Sequence, residues 1–298
     1  MAGIDAKAIR ELRERTQAGM SDCKNALAEA GGDMEKAVEI ILKKGLAKSA
    51  KRAGAIAAEG EVRALVAPDE RSAVVVEVNV QTDFAARSDG FKDFVRQVLD
   101  VAGRTPAGAD LGTQPLGGRT VAQAALELGA RLGEKVDLRR WDRIAVAAGK
   151  HGFCHSYVHM DGKIAVVLSL ESESPEALGH PEVRKLADDT AMHIAATAPL
   201  ALRRADVGET EVAKQREIFA AQLREEKSPK PEQFWPKIVE GKVGKWYAEV
   251  VLLEQESVVV PKNKIEALCQ AAGKAAGAAV EITRFVRYER GEGLAKGG

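Results

Sequence analysis

The sequence predicts an α+β protein built from a helical N-terminal module, a core of two related α+β subdomains with antiparallel sheets, and an inserted helical hairpin. Three observations lead there. Helical spacing without any strand signal fills the chain up to Gly54. A strand, turn, strand, helix order then occurs twice, beginning at Glu59 and again at Gly152. Finally Val239, Val243, Trp246, Val250 and Leu253 step by four, three, four and three, the seam spacing of two packed helices.

With 298 residues the chain has room for two or three domains and a well-buried core. Its 44 basic and 44 acidic residues cancel, so no overall field draws it to nucleic acid or to a membrane surface. Aromatic residues are only 4%, too few for a base-stacking platform. Cys23, Cys154 and Cys269 are odd in number and far apart, as expected of reduced thiols in a cytoplasmic protein. Neither a signal-peptide core nor a membrane span is expected from the charged opening residues and the short apolar runs.

From Ile4 to Gly54, Gly19 and Gly31-Gly32 divide three short helices, with Ser21 and Asp33 as caps; the basic run Lys48–Gly54 reads as a solvated helix end or linker. Strands follow over Glu59–Ala67 and Ser72–Gln81 around a Pro68-Asp69-Glu70 turn, and then a helix from Asp83 to about Ala102, stopped by Gly103 and Pro106. Gly108–Gly118 reads as a loop, and Thr120 caps a helix through Arg131. The second copy has strands over Gly152–Met160 and Lys163–Leu170 joined by a tight Asp161-Gly162 turn, and a helix over Pro181–Ala196. Overlaying Ile164–Leu170 on Val74–Val80, and Ala191–Ala195 on Val98–Ala102, places apolar on apolar. The hairpin lies between Asp206 and Glu254, with Val212, Phe219 and Leu223 on its first arm and its turn at Ser228-Pro229-Lys230-Pro231. An amphipathic helix over Lys264–Ala276 and a strand over Val280–Tyr288 complete the chain; alternation puts Ile282, Arg284, Val286 and Tyr288 on one face of that strand.

The stretch from Val74 to Phe84 runs a strand into a helix start and leaves an aromatic at the junction. Valines alternate with Glu77, Asn79 and Gln81 as in a half-buried strand, and Thr82 or Asp83 caps the helix. Phe84 has two readings. With Phe91, Val95, Val98 and Ala102 it falls on one helical face and would be core; alternatively the junction displays it to a partner. The second copy's connection, Glu171–Glu176, is longer and has no counterpart of Thr82-Asp83-Phe84, which favours display.

Catalytic chemistry is not visible. His151, Cys154, His155 and His159 cluster, but on a strand residues four apart lie about 13 Å apart at ~3.3 Å per residue, too far to share one metal ion. No phosphate-binding glycine loop, nucleophile elbow or zinc-protease helix is present. A binding or regulatory protein that is not an enzyme, and needs no metal or cofactor, is the expectation.

The segment Leu12-Arg13-Glu14-Arg15-Thr16-Gln17-Ala18-Gly19-Met20-Ser21-Asp22-Cys23-Lys24-Asn25-Ala26-Leu27 resembles the opening signature of bacterial elongation factor Ts, and Glu77-Val78-Asn79 with Gln81-Thr82-Asp83-Phe84 resembles that family's core signature. Collinear similarities continue at Met192–Ala196, Glu240-Gly241-Lys242, Leu252–Gln255 and Phe285–Gly293. The resemblance implies a UBA-like three-helix domain over 1–54, core subdomains over 55–138 and over 139–205 with 255–298, and a coiled-coil hairpin over 206–254. It implies guanine-nucleotide exchange on elongation factor Tu, GDP-bound and nucleotide-free, with Thr82, Asp83, Phe84 and Ala85 disturbing the partner's Mg²⁺ and phosphate site. Secondary contacts would fall at Arg13, Met20 and His159, and a homodimer could form through hairpin or core. The rival reading is a UBA-type adaptor or chaperone-like binder without exchange activity. Three departures from the family stand out: Ala85 replaces a larger aliphatic residue, Pro229 and Pro231 alter the hairpin turn, and a C-terminal helix found in some members is expected to be missing.

Overall fold

The structure, a computed structural model, describes residues 5–16, 18–51, 54–225 and 231–294, the side chains of 46–51 excepted. Helices α1 (Ala6–Thr16), α2 (Met20–Glu29) and α3 (Met34–Lys51) open the chain. Leu12, Cys23, Ala26, Leu27, Ala37 and Ile41 form their shared core. Asp33 caps α3, its Oδ1 accepting from the N–H groups of Glu35 and Lys36 at 3.0 and 3.1 Å. Ser21 does not cap α2; Gly19 occupies that position and Ser21 lies inside the helix. The basic run is likewise helical as far as Lys51, while residues 52 and 53 lie outside the described residues.

Strands β1 (Glu59–Val66) and β2 (Ser72–Val80) pair antiparallel, followed by α4 (Asp83–Ala86) and α5 (Asp89–Arg104). Where the sequence predicts one helix from Asp83, there are two. Ser88 breaks it, its hydroxyl accepting from the Phe91 N–H as the N-cap of α5. Gly103 does not end α5, which runs on to Arg104; Thr105 precedes Pro106 and is extended, the conformation proline imposes on its predecessor. A small hairpin of β3 (Pro115–Leu116) and β4 (Arg119–Thr120) leads into α6 (Val121–Leu132), where Thr120 and Gln123 form a capping box. β5 (Val136–Ala145), which the sequence reading missed, completes the first sheet in the order β1-β2-β5. Its run of Asp137, Arg139, Arg140, Asp142 and Arg143 hides the strand period.

The second copy places β6 (His151–His159) and β7 (Ile164–Ser172) before α7 (Pro175–Leu178) and α8 (Pro181–Thr197). The β6–β7 turn is longer than a two-residue hairpin, with Met160, Asp161 and Gly162 all left-handed. Helices α9 (Glu209–Glu225) and α10 (Trp235–Val250) pack through Val212, Leu223, Val239, Val243 and Trp246. Leu253 leaves that seam for a short 3-10 turn and packs against the second core instead. Of the expected hairpin turn, Ser228-Pro229-Lys230 lies outside the described residues. Helix α11 (Ile265–Ala276) and strand β8 (Val280–Glu289) finish the second sheet, ordered β6-β7-β8. A bulge at Thr283 switches faces along β8, so Ile282 and Phe285 pack toward the helices while Val286 and Tyr288 pack toward the other sheet.

The two sheets stack face to face. Val62, Ala73, Val75 and Ile144 meet Cys154, Ala165 and Val167 between them. The outer face of the first sheet is covered by α5 and α6, that of the second by α8 and α11. Every residue of β2 is therefore buried, and the expected half-exposed strand is covered on both faces. The copies correspond at a constant step of 92 residues: Ser72 with Ile164, Thr82 with Ser174, Ser88 with His180. Each third strand carries a bulge opposite the same place, between Glu77 and Val78 in one copy and between Ser169 and Leu170 in the other. The sequence overlay slips by two residues in the strand and one in the helix, because valine and alanine runs fit several registers.

Gly45 of α3 lies against Ala130 of α6; a Cβ there would come within 2.6 Å of the alanine Cβ. That close approach seats the N-terminal helices on the body.

Candidate functional site

Phe84 is the second residue of α4, and 84% of it is exposed. The helix break at Ser88 removes it from the stripe of Phe91, Val95, Val98 and Ala102, all buried beneath α5. An apolar ring left in water forgoes roughly 1.5–3 kcal/mol of burial, so its position here is not explained by folding.

The backbone beneath the ring is pinned. Thr82 caps α4, its Oγ1 accepting from the Ala85 N–H at 3.2 Å. The Glu134 carboxylate then takes both donors of Thr82: the N–H at 2.9 Å on Oε2 and the hydroxyl at 2.6 Å on Oε1. Beside it the Lys135 N–H donates to Gln81 Oε1 at 2.8 Å. Ala85 and Ala86 are buried in the core under α5 and α6, which anchors the other side of the turn. Asp83 pairs with Arg87 at 3.1 Å across the helix, with both groups exposed and the pair weak. Thus Thr82, Asp83, Phe84 and Ala85 make one rigid projection. Glu134 and Ser88, which hold it, were missed in the sequence; Glu134 follows the α6 stop at Gly133 and carries no pattern of its own.

The second copy has a structural counterpart of this tip, contrary to the sequence reading. Ser174 caps α7 just as Thr82 caps α4, and Ala177 and Leu178 are buried as Ala85 and Ala86 are. Only the display position differs, Glu176 standing in place of Phe84.

Below the tip, Glu77 of β2 is fully buried between the sheets. The bulge at Arg139 lets two consecutive arginines reach it, Arg139 Nη1 at 2.9 Å and Arg140 Nε at 2.6 Å. The Gly291 N–H adds a third donor at 2.8 Å, and Arg140 continues to Glu292 at 3.0 Å. Gly291 has φ +70° and a Cβ there would meet the Ala58 carbonyl at 2.4 Å, so the close approach requires glycine. In the second copy the corresponding site is a hydroxyl pair, Ser169 with Thr283 at 2.8 Å. The strand that carries the tip is thereby tied to the C-terminal segment.

The secondary residues lie elsewhere. Arg13 is exposed on α1, and Met20, at the start of α2, is 60% exposed. His159 ends β6 and its Nδ1 is 2.9 Å from the Tyr157 hydroxyl. The exposed Met160 follows it in a turn fastened to β1, through Arg63 with Asp161 at 2.8 Å and the Val62 N–H with Gly162 O at 2.9 Å. The other members of the β6 histidine–cysteine cluster have separate surroundings. His155 meets Asp188 at 2.9 Å, with burial lowering its pKa, whereas Cys154 points between the sheets, where burial pushes its thiol up to about 11.

Residues 81–292 match a family model described as Elongation factor TS. The chain is 44% identical over 304 residues to the elongation factor Ts of Rhodospirillum centenum, covering 99% of this chain and 95% of that protein. It is 41% identical over 297 residues to that of Symbiobacterium thermophilum, covering 99% and 95%. To that of Prosthecochloris aestuarii it is 38% identical over 297 residues, covering 98% and 100%.

Proposed function

The chain belongs to the elongation factor Ts family, and on that premise we propose that it is the guanine-nucleotide exchange factor of translation elongation, acting on elongation factor Tu. The observation that carries the mechanism is the exposed Phe84 on a backbone clamped by Glu134 and capped by Thr82. Exchange by a binding protein is linkage. A GTPase that holds GDP through its phosphates and Mg²⁺ loses nucleotide affinity when another protein binds its distorted form better, and the coupling is reciprocal. Such a factor must bind both the GDP-bound and the nucleotide-free partner. Phe84 supplies the wedge and Asp83 a charge beside the partner's Mg²⁺ site; Thr82 and Ala85 keep the turn from yielding.

Arg13, Met20 and His159 provide further contacts, with Met160 beside His159 as an additional apolar one. The N-terminal helices act as a UBA-like domain over 1–54. The core comprises two subdomains, and the pairing of β5 with β2 on both sides of its Arg139 bulge supports a division after that strand rather than between 138 and 139. The α9–α10 hairpin over 206–254 is a coiled coil available for homodimer contacts. Among the described residues no helix is long and apolar enough to cross a membrane, and the factor works in the cytoplasm where elongation proceeds. The adaptor reading would use the N-terminal helices alone, while the family match begins at residue 81 and covers the core.

The test is release of fluorescent GDP from elongation factor Tu on mixing with this chain. Acceleration over the spontaneous rate is expected; an unchanged rate would refute the exchange role.

A further inference from the structure

Gly45 stands in the interior of α3, where glycine weakens a helix relative to alanine and so needs a packing reason. The reason is Ala130 of α6. A Cβ on Gly45 would come within 2.6 Å of the Ala130 Cβ, 3.0 Å of its carbonyl oxygen and 3.1 Å of its Cα, so the two helices meet backbone to backbone. Ala130 lies in the last turn of α6, just ahead of Gly133, which ends the helix, and Glu134, which clamps Thr82. A cleft of about 340 Å³ along this seam is lined by Gly19 from the N-terminal helices and by Gly133 from the body; Met20 follows Gly19 directly. A second cleft, of about 690 Å³, brings Glu14 and Arg15 of α1 together with Ser88 and Asp89, at the end of the short turn that carries Phe84. The N-terminal helices thus border both supports of the tip, the Glu134 side and the Ser88 side. With two clefts along it the seam is loosely filled, and its geometry depends on the close contact at Gly45.

We propose that Gly45 is a positioning residue for the exchange reaction: its contact with Ala130 holds Met20 and Phe84 on one frame, so the GTPase partner meets both without first having to order the N-terminal helices. This role rests on the exchange-factor reading, in which Met20 is a contact and Phe84 the wedge. A contact presented already in place costs less to make than one carried on a loose domain, and two contacts on a rigid frame reinforce each other. Val121, Ala124, Ala125 and Leu128 bury α6 in the first core, so a larger residue at position 45 displaces the N-terminal helices rather than α6. The Glu134–Thr82 clamp is then left as it was. Loosening the seam therefore weakens binding of the partner without slowing the exchange step once the partner is bound.

In Gly45→Leu, the chain concentration that gives half-maximal GDP release from elongation factor Tu is expected to rise about 20-fold, while the release rate at saturation stays within about twofold of wild type. Gly45→Ala strengthens α3 as a helix but still drives Cβ against Cβ, and is expected to raise that concentration about fivefold. Adding Ala130→Gly to Gly45→Ala removes the clash and is expected to bring it back to within about twofold of wild type. Spin labels at Arg10→Cys and Arg96→Cys, both exposed, report the seating directly, the native cysteines being buried. Their distance distribution should broaden in Gly45→Leu. A half-maximal concentration for Gly45→Leu within about twofold of wild type would overturn the proposal. So would an unchanged distance distribution, no recovery in the double variant, or a lower saturated rate at unchanged half-maximal concentration. Failure of the wild-type chain to accelerate GDP release would instead sink the exchange-factor reading, while the distances still decide whether Gly45 seats the N-terminal helices.

Discussion

Replacing Glu134 by alanine removes both acceptors of the Thr82 clamp and leaves the Phe84 ring untouched. The two bonds, at 2.9 and 2.6 Å, involve a charged acceptor but sit where water can re-solvate Thr82, so each is taken as about 1 kcal/mol, below the range for buried bonds to charged groups. Together they bias the tip toward its displayed conformation by about 2 kcal/mol, roughly a 30-fold change in the population of the loosened turn. Glu134 follows the helix stop at Gly133 and its own N–H still bonds to Gly129 O, so α6 is not disturbed. Amide hydrogen exchange at Thr82 should accelerate by about 30-fold with little change in global unfolding, because the opening is local. GDP release from elongation factor Tu should slow by up to the same factor. Unchanged protection of the Thr82 amide would refute the clamp. An unchanged release rate alongside a loosened amide would refute the claim that rigidity of the tip drives exchange.

Other perturbations probe the scaffold. Glu77→Gln leaves Arg139 and Arg140 without their buried carboxylate and should cost about 3 kcal/mol in urea unfolding at unchanged m, the low end for breaking a buried pair. His193 is fully buried, with Nδ1 accepting from the Val258 N–H at 3.2 Å and Nε2 facing Gln255 Oε1 at 2.9 Å, so it is held neutral with its proton on Nε2. Burial lowers its pKa below the usual 6.5, so the folded state takes up its proton later than the unfolded chain. The stability it contributes is complete above pH 6.5 and is lost as pH falls below that toward the folded-state value. Urea midpoints measured against pH should show this slope, and His193→Asn should flatten it.

The fold was legible where period and punctuation agree. Valine alternation located β2 and β7, and Thr120, Gly31-Gly32 and Pro106 marked element ends. β5 was not legible, because a strand whose charged residues pair with buried groups such as Glu77 loses its alternation. The break between α4 and α5 was hidden for a related reason: Ser88 sits inside an uninterrupted helical period, and its capping role depends on backbone geometry. At the site, the residue to be displayed could be named from sequence, whereas Glu134, 52 positions away in the chain, could only be found once folding brought it to Thr82. The tip's counterpart at Ser174 was missed because Pro175-Glu176 shares no side chain with Asp83-Phe84; only the cap and the buried pair behind it recur.

The most direct test is the rate at which Phe84→Ala releases labelled GDP from elongation factor Tu in a stopped-flow experiment. The ring is 84% exposed, so its removal should leave the melting temperature of the chain unchanged. Burying it in the partner is worth about 2 kcal/mol, and release should slow by about 30-fold while much of the partner affinity survives. A release rate equal to that of the wild type would contradict the account.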